Sequence, residues 1–442
     1  MTLELLSLKQ QLLKGGAGSV LVKATFAFLS FTISVVLARY LGAEGFGVYA
    51  FIIALIMLIS IPAVIGVPEL IVRETAKYQA KGNWELIAGL WLWGSKVVIS
   101  FSVAVLLTAS LVIFSFADYV DEVKSQAVLI SVLIIPLAAV VSIKSASIRG
   151  LRHTVLGQLP DSIIRPFMFL ILILVAPFFI KTLGVIDVFY AYIFSVVIAL
   201  IASLFFLKKV KPVQIAQVTT PDYDIEAWKK SVLPLALISG LHVINGYVDI
   251  LILGLFRGDE EVGVYRAVVQ MSLLVSFGLQ AINQVLHPHF SRLYTLGDHQ
   301  KLQTIVTISA RVILLISLPP VVLFVFYGAD ILGMIFGDPF YVGGMALAIL
   351  AFGQLVNALM GSVGALLNMT GHERYTVRGV ALAAVVNIVL NFALIPFYGM
   401  LGAAIATAVS LAMWNLLLRY YVRQKLNIEP SALFKSTRLK LN

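Results

Sequence analysis

Twelve long, mostly apolar runs separated by polar or turn-forming clusters dominate this chain. They fall at roughly 15–39, 46–68, 87–115, 126–147, 160–180, 187–207, 231–256, 264–286, 304–327, 343–367, 376–396 and 402–421. A bilayer core about 30 Å thick is crossed by about 20 apolar residues of α-helix, so each run is long enough to span. Barrel strands would instead alternate in character over about ten residues. The balance of residues agrees, at 60% hydrophobic and 12% charged, where a soluble domain carries about 25% charge. The expected fold class is all-α integral membrane. The first run is too long for a signal-peptide core and no cleavage site follows it, so it is expected to remain in the mature protein. The chain has no cysteine, which excludes disulfides, thiolate metal sites and cysteine nucleophiles together.

Lysine and arginine set the orientation. With both termini on one side, that side receives 20 basic residues, among them Lys77, Arg149, Lys208, Arg374 and Lys425. The opposite loops hold only Lys124, Lys181 and Arg257. The positive-inside rule then predicts cytoplasmic termini. The net charge of +10 is largely accounted for by this topology, which argues against a nucleic-acid partner.

The chain also repeats itself. LGAEGFGVYA at 41–50 returns 216 positions later as RGDEEVGVYR at 257–266, in each case between two apolar runs. RHTVLG at 152–157 returns as RYTVRG at 374–379, an offset of 222. Both echoes join runs six apart, so the twelve spans predict two parallel six-helix lobes. The extra six residues are expected in the outer segment 328–343, which also reads as the longest outer connection. The polar stretch KKVKPVQIAQVTTPDYDIEAWKK reads as an interlobe linker. The expected organisation is an N-lobe at 1–207, a linker at 208–230, a C-lobe at 231–422 and a cytoplasmic tail at 423–442. Two lobes about a shared site is the layout of an alternating-access transporter.

Charges within the spans mark candidate sites, because an ionised side chain near mid-bilayer costs about 2.5–3.5 kcal/mol and usually faces a wet cavity or a partner. Arg39, Arg266, Arg378 and Arg419 lie near span ends, where long side chains snorkel outward, and Lys144 is read in the same way. Lys23, Lys96 and Arg311 lie deeper, and Arg165 shares a helical face with Asp161. These four cations are candidates for binding an anionic group. In SGLHVINGYVDILILG, the residues His242, Asn245 and Asp249 also share a face and could carry a coupling proton or a sodium ion, unless Asp249 pairs with a cation on a neighbouring helix. The remaining intramembrane amides, including Asn387 and Asn391, read as interhelical hydrogen-bonding groups. No phosphate loop or HExxH is present, and Asp222-Tyr-Asp224 reads as a chance DxD in a linker.

The hairpin VVLARYLGAEGFGVYAFIIAL, then GVPELIVRETAKY, then RGLRHTVLGQL, resembles the polysaccharide transport branch of the multidrug/oligosaccharidyl-lipid/polysaccharide flippase superfamily. That resemblance extends over essentially the whole chain. It implies a bacterial inner-membrane flippase, not an enzyme, that moves an undecaprenyl-diphosphate-linked oligosaccharide to the periplasmic leaflet. It further implies a cation-lined cavity walled by spans 1, 2, 7 and 8, with Lys23 beside it. A proton or sodium gradient would supply the energy without a bound cofactor. Partners would be the polyprenyl-diphosphate-linked oligosaccharide, the bilayer, and a polysaccharide polymerase with its chain-length regulator. The alternatives are a multidrug or organic-cation antiporter of the same superfamily, and a membrane polysaccharide polymerase or ligase.

Overall fold

A computed structural model describes residues 2–64, 66–115 and 121–433, with side chains from residue 18 onward except at 238. Every regular element among the described residues is helical. Ten helical stretches are long and apolar enough to cross a membrane. Two of them are bent at a residue with non-helical backbone, Gly42 (φ 69°) in α1 (Thr2–Ile59) and Gly399 (φ 54°) in α16 (Glu373–Leu426). A side chain at positive φ is strained, so glycine is what allows each reversal. Counting the two arms of each bent helix gives twelve spans.

The chain forms two compact units, one of Met1–Leu41 with Phe51–Tyr247 and one of Gly42–Ala50 with Val248–Asn442. Unit 1 contains most of α1, then α2 (Ile61–Val64), α3 (Val67–Lys81), α4 (Trp84–Ser115), α5 (Glu122–Val132), α6 (Ile134–Gly150), α7 (Thr154–Leu159), α8 (Arg165–Val175), α9 (Val185–Val210), α10 (Val213–Ala216) and the first part of α11 (Ile225–Phe256). Of these, α3 is amphipathic and does not span. It buries Val67, Leu70, Ile71, Thr75 and Tyr78, one stripe at helical spacing. Its buried Glu74 is held by Arg73 at 3.0 Å and Lys77 at 2.9 Å.

The linker is shorter and better anchored than its polarity suggests. Because α9 continues to Val210 and α11 starts at Ile225, the connection is residues 211–224. Trp228 is fully buried, donates its indole N–H to the Tyr78 hydroxyl (3.0 Å) and packs on Trp93. The DxD pair is absorbed locally: Asp222 accepts from the Tyr223 amide, and Asp224 accepts from the Ala227 amide at the start of α11.

Unit 2 contains the hairpin tip 42–50, the end of α11, α12 (Asp259–Thr295), α13 (His299–Phe336), α14 (Gly344–Met360), α15 (Val363–Met369) and α16. The two copies of the repeated motif meet here, at Ala43 and Gly47 against Asp259 and Gly263. Beside them, Arg257 donates to the carbonyls of Ile395 (3.3 Å) and Pro396 (3.1 Å), while Glu261 accepts from the Met400 amide (2.6 Å). One turn of the motif therefore caps both arms of α16 at its bend.

Two expectations need correction here. Residues 328–343 are not a long connection, because α13 runs to Phe336 and a 3-10 turn, Asp338–Gly343, leads directly into α14. Nor does the tail begin at 423. The helix continues to Leu426, and the chain then turns back through Asn427 (φ 53°) to bury Ile428, Glu429, Ser431 and Ala432 in unit 2. The Glu429 carboxylate takes Arg419 in a two-point pair (2.9 and 3.0 Å), so Arg419 is not a snorkelling rim residue. The Gln303 side chain grips the Glu429 backbone at both N–H and C=O. The rest of the expected tail, 434–442, lies outside the described residues.

Candidate functional site

In unit 1 the fifth span carries the most distinctive local geometry. Pro160 and Pro166 cannot donate to a helical ladder, and between them the helix widens into a π-turn, Pro160–Ile164, in which the Arg165 amide donates to the Pro160 carbonyl. Such turns are frequent at functional sites, because they redirect side chains without ending the helix. Here Asp161 and Arg165 both line a cavity of about 280 Å³, together with Ser60, Ser142, Ser239 and Tyr192 on an otherwise mainly apolar wall. The Arg165 guanidinium lies 5.9 Å from the Tyr192 ring. That ring is held edge-on against Phe169, 5.1 Å away.

The charges on this cavity wall are of both signs. Arg165 is its one basic lining residue, and Glu69 joins Asp161 at the wall. Lys23 and Lys96 are exposed on α1 and α4, and Arg311 is exposed on α13 of unit 2; none of the three lines this cavity. Of the four predicted anion ligands, only Arg165 lies here. Donors and acceptors of both signs, three hydroxyls and a fixed tyrosine ring suit hydrogen bonding to a polyhydroxylated group better than neutralisation of a diphosphate.

Unit 2 holds the second arrangement. Asp249 is buried (5% exposed) and accepts from the Tyr265 hydroxyl at 2.8 Å and from the Ile250 amide at 2.8 Å. Thr407 stands 3.5 Å from the same carboxylate oxygen as Tyr265. Asn387 extends the network to Ser410 (3.2 Å) and accepts from Asn391 (2.9 Å). The Asn391 side-chain oxygen is buried and has no protein partner among the described residues. A buried carboxylate, two hydroxyls and two amide oxygens form an oxygen-rich cluster of the kind that can carry a proton or a hard monovalent cation.

His242, Asn245 and Asp249 lie on the one continuous helix α11, and the side-chain partners of Asp249 come from α12 and α16. His242 and Asn245 belong to the part of α11 in unit 1, and Asn245 donates back to the Leu241 carbonyl (3.0 Å). The Asp249 carboxylate is held by the Tyr265 phenol, and the charge of Arg266 on α12 also acts on it. Tyr265 and Thr407 were missed. The available signal was Tyr265 itself, a member of the repeated motif.

Comparison with known proteins places these features. A family model described as Polysaccharide biosynthesis protein matches residues 12–294, and one described as MatE matches 234–393. The chain belongs to the polysaccharide biosynthesis protein family. Within the multidrug/oligosaccharidyl-lipid/polysaccharide superfamily this is the polysaccharide branch, and the chain is a multi-pass membrane protein. This family member is 25% identical over 190 residues to the probable low-salt glycan biosynthesis flippase Agl15 of Haloferax volcanii, covering 42% of this chain and 40% of that one. It is 30% identical over 174 residues to the probable flippase AglR of the same organism, covering 39% and 36%. The matches thus span well under half the length of these relatives. Among solved structures, an inward-facing multidrug resistance MATE family transporter superposes with TM-score 0.74 at 13% identity, covering 92% of this chain and 98% of that one. The lipid II flippase MurJ, in an inward closed conformation, gives 0.68 at 14%, covering 93% and 87%. At such identities the likeness shows the fold alone.

Proposed function

We propose that this protein is a flippase for polysaccharide precursors. It turns a polyprenyl-diphosphate-linked oligosaccharide, undecaprenyl in the bacterial setting that the sequence resemblance implies, from the cytoplasmic to the opposite leaflet of the plasma membrane. Membership of the polysaccharide branch, on a match over residues 12–294, is the observation that carries this reading. On it, the protein relocates its substrate without transforming it, both termini are cytoplasmic, and a polymerase with its chain-length regulator takes up the product.

The unit 1 cavity is assigned to a sugar of the substrate. At about 280 Å³ it lies at the lower end of ligand pockets, which run from about 300 to 1,000 Å³. It would take a compact group rather than a whole oligosaccharide. Asp161, Arg165 and the serine hydroxyls would hydrogen-bond to it, and Tyr192 would pack on its face. Lys23, Lys96 and Arg311, each exposed in its own unit, remain candidates for contact with the diphosphate. Asp249, with Tyr265, Thr407, Asn387 and Asn391, is assigned to coupling. A carrier needs a gradient to bias its return, and a buried carboxylate that exchanges a proton or sodium ion would couple it to one. His242 and Asn245 retain at most a supporting role.

The test is flipping of a fluorescent lipid-linked oligosaccharide in proteoliposomes under imposed proton or sodium gradients. The parent should flip it faster than empty vesicles, and Arg165→Gln and Asp161→Asn should lower the rate at unchanged expression. Rates equal to empty vesicles under every gradient would reject the reading. A second reading rests on one observation, the two carboxylates at the cavity wall, which would suit export of an organic cation. Gradient-driven uptake of a cationic dye, with no movement of the lipid, would favour it.

A further inference from the structure

Three cations converge on one ring where α16 begins and ends. The Arg374 guanidinium is 5.0 Å from the Tyr375 ring centre, Lys425 Nζ is 5.4 Å away and the Arg378 guanidinium is 5.8 Å away. Arg374 also donates to the Tyr375 hydroxyl at 3.3 Å. The bend at Gly399 is what brings residues 374–378 and 425 together from opposite ends of one helix.

Ordinary surface lysines and arginines spread apart, because like charges repel and water solvates each separately. These three are gathered around a buried ring. Tyr375 is buried (8% exposed) and packs against Tyr421 (4.7 Å) and His372 (6.2 Å), which in turn meets Tyr294. The face of an aromatic ring offsets only part of one positive charge. Among the described residues none of the three forms an ion pair, Glu373 on the same turn included, and Glu429 is already engaged by Arg419 and Arg423. A cluster of cations without a counter-charge among the described residues is a seat for an anion. Two guanidiniums and an ammonium match the several oxygens of a phosphate group, which accepts charge-assisted hydrogen bonds from each.

We propose that Arg374, Arg378 and Lys425, organised by Tyr375, form a phosphate-binding site on unit 2 that takes the headgroup of an anionic bilayer lipid. Its position supports that source. It lies at the terminus of membrane-crossing helices, the depth at which headgroup phosphates lie, and basic pockets between helix ends are recurrent lipid sites. The assignment does not depend on what the protein transports. It also gives a role to the RYTVRG copy of the repeat, which carries Arg374, Tyr375 and Arg378 where the first copy has Arg152, His153 and Leu156.

The test uses the full-length protein in phosphatidylcholine nanodiscs with increasing phosphatidylglycerol, reading the melting temperature. The parent should be stabilised in a saturable way, and Arg374→Gln/Lys425→Gln should weaken the apparent affinity by about tenfold or more. The charge-preserving Arg374→Lys/Lys425→Arg should retain most of the effect, which separates loss of the site from misfolding, as does an unchanged elution profile in phosphatidylcholine. Orthophosphate added to pure phosphatidylcholine discs distinguishes the source. Protection by it of the parent and not the glutamine variant keeps the site and assigns it to free phosphate. Equal protection of parent and glutamine variant by phosphatidylglycerol, or no protection of the parent by either ligand, overturns the proposal.

Discussion

Gly47 is pressed against the backbone carbonyl of Asp259, and Gly263 is pressed in the same way against the carbonyl of Ala43. Ala43 and Gly47 hold the positions in the first copy of the motif that Asp259 and Gly263 hold in the second, so the contact is reciprocal. Approach this close replaces side-chain packing with backbone dispersion and Cα–H···O contacts, as where small residues four apart let membrane helices meet. A Cβ at either glycine would strike a carbonyl that cannot rotate away. Gly47→Ala and Gly263→Ala should each destabilise unit 2 by about 1–3 kcal/mol, seen as a lower melting temperature. Gly258→Ala, where a Cβ meets nothing within 4 Å, should be close to neutral. Equal tolerance at all three positions would mean that the contact contributes nothing.

This contact also shows what the sequence could reveal. Spans are legible because lipid demands an unbroken apolar run, and the repeat is legible because both copies meet the same packing requirement. Where a span is interrupted is less so. The breaks at Ser60 and Gly361 and the π-turn at Pro160 sit inside runs whose apolar character is continuous. Partners distant in sequence were hidden as well. Tyr265 reaches Asp249 only through the register of the hairpin between α11 and α12, which helical spacing along α11 cannot supply. Glu429 looks like a tail residue because its burial depends on Gln303, 126 positions away.

The oxygen cluster around Asp249 makes a graded prediction. Asp249→Asn keeps the shape of the side chain and removes its charge, so stimulation of flipping by an ion gradient should vanish while expression persists. Tyr265→Phe removes only the hydroxyl donor, a loss of about 1–2 kcal/mol, or roughly five- to thirtyfold in apparent ion affinity. The measurement is the initial flipping rate against ion concentration in proteoliposomes. Identical curves for parent and both variants would leave the network a purely structural one.

Glu429 gives a pH dependence whose sign can be worked out. Burial alone would raise its carboxyl, but hydrogen bonds from Arg419 and Ser431 outweigh burial and hold it below the usual glutamate range. A carboxylate whose folded-state pKa is depressed contributes stability that is fully present above its unfolded value of about 4.3 and is lost as pH falls through the folded value. Glu429→Gln leaves Arg419, with a side chain only 16% exposed, short of its counter-charge, which should cost up to about 3 kcal/mol at neutral pH. The melting temperatures of parent and variant should therefore differ at pH 7 and converge only as the pH falls past the unfolded value and through the lower folded one. A gap that stays constant through the acid range would exclude the ion pair as its origin.

Orientation is the last expectation open to direct test, and the structure improves the choice of positions. The absence of cysteine lets single reporters be introduced cleanly. Ala43 is buried at the hairpin contact and would label poorly on either side of the membrane, whereas Glu44 and Glu260 are exposed in the two copies of the motif. Thr219 is exposed in the connection between α10 and α11. With basic residues held on the cytoplasmic side, Glu44→Cys and Glu260→Cys should react with an impermeant maleimide in intact spheroplasts. Thr219→Cys should react only after permeabilisation. Because both motif copies lie in one unit and contact each other, they must label on the same side, so a split result would contradict the fold itself. Joint protection of positions 44 and 260, with ready labelling at 219, would instead keep the fold and reverse the topology, and with it the direction of transport proposed above.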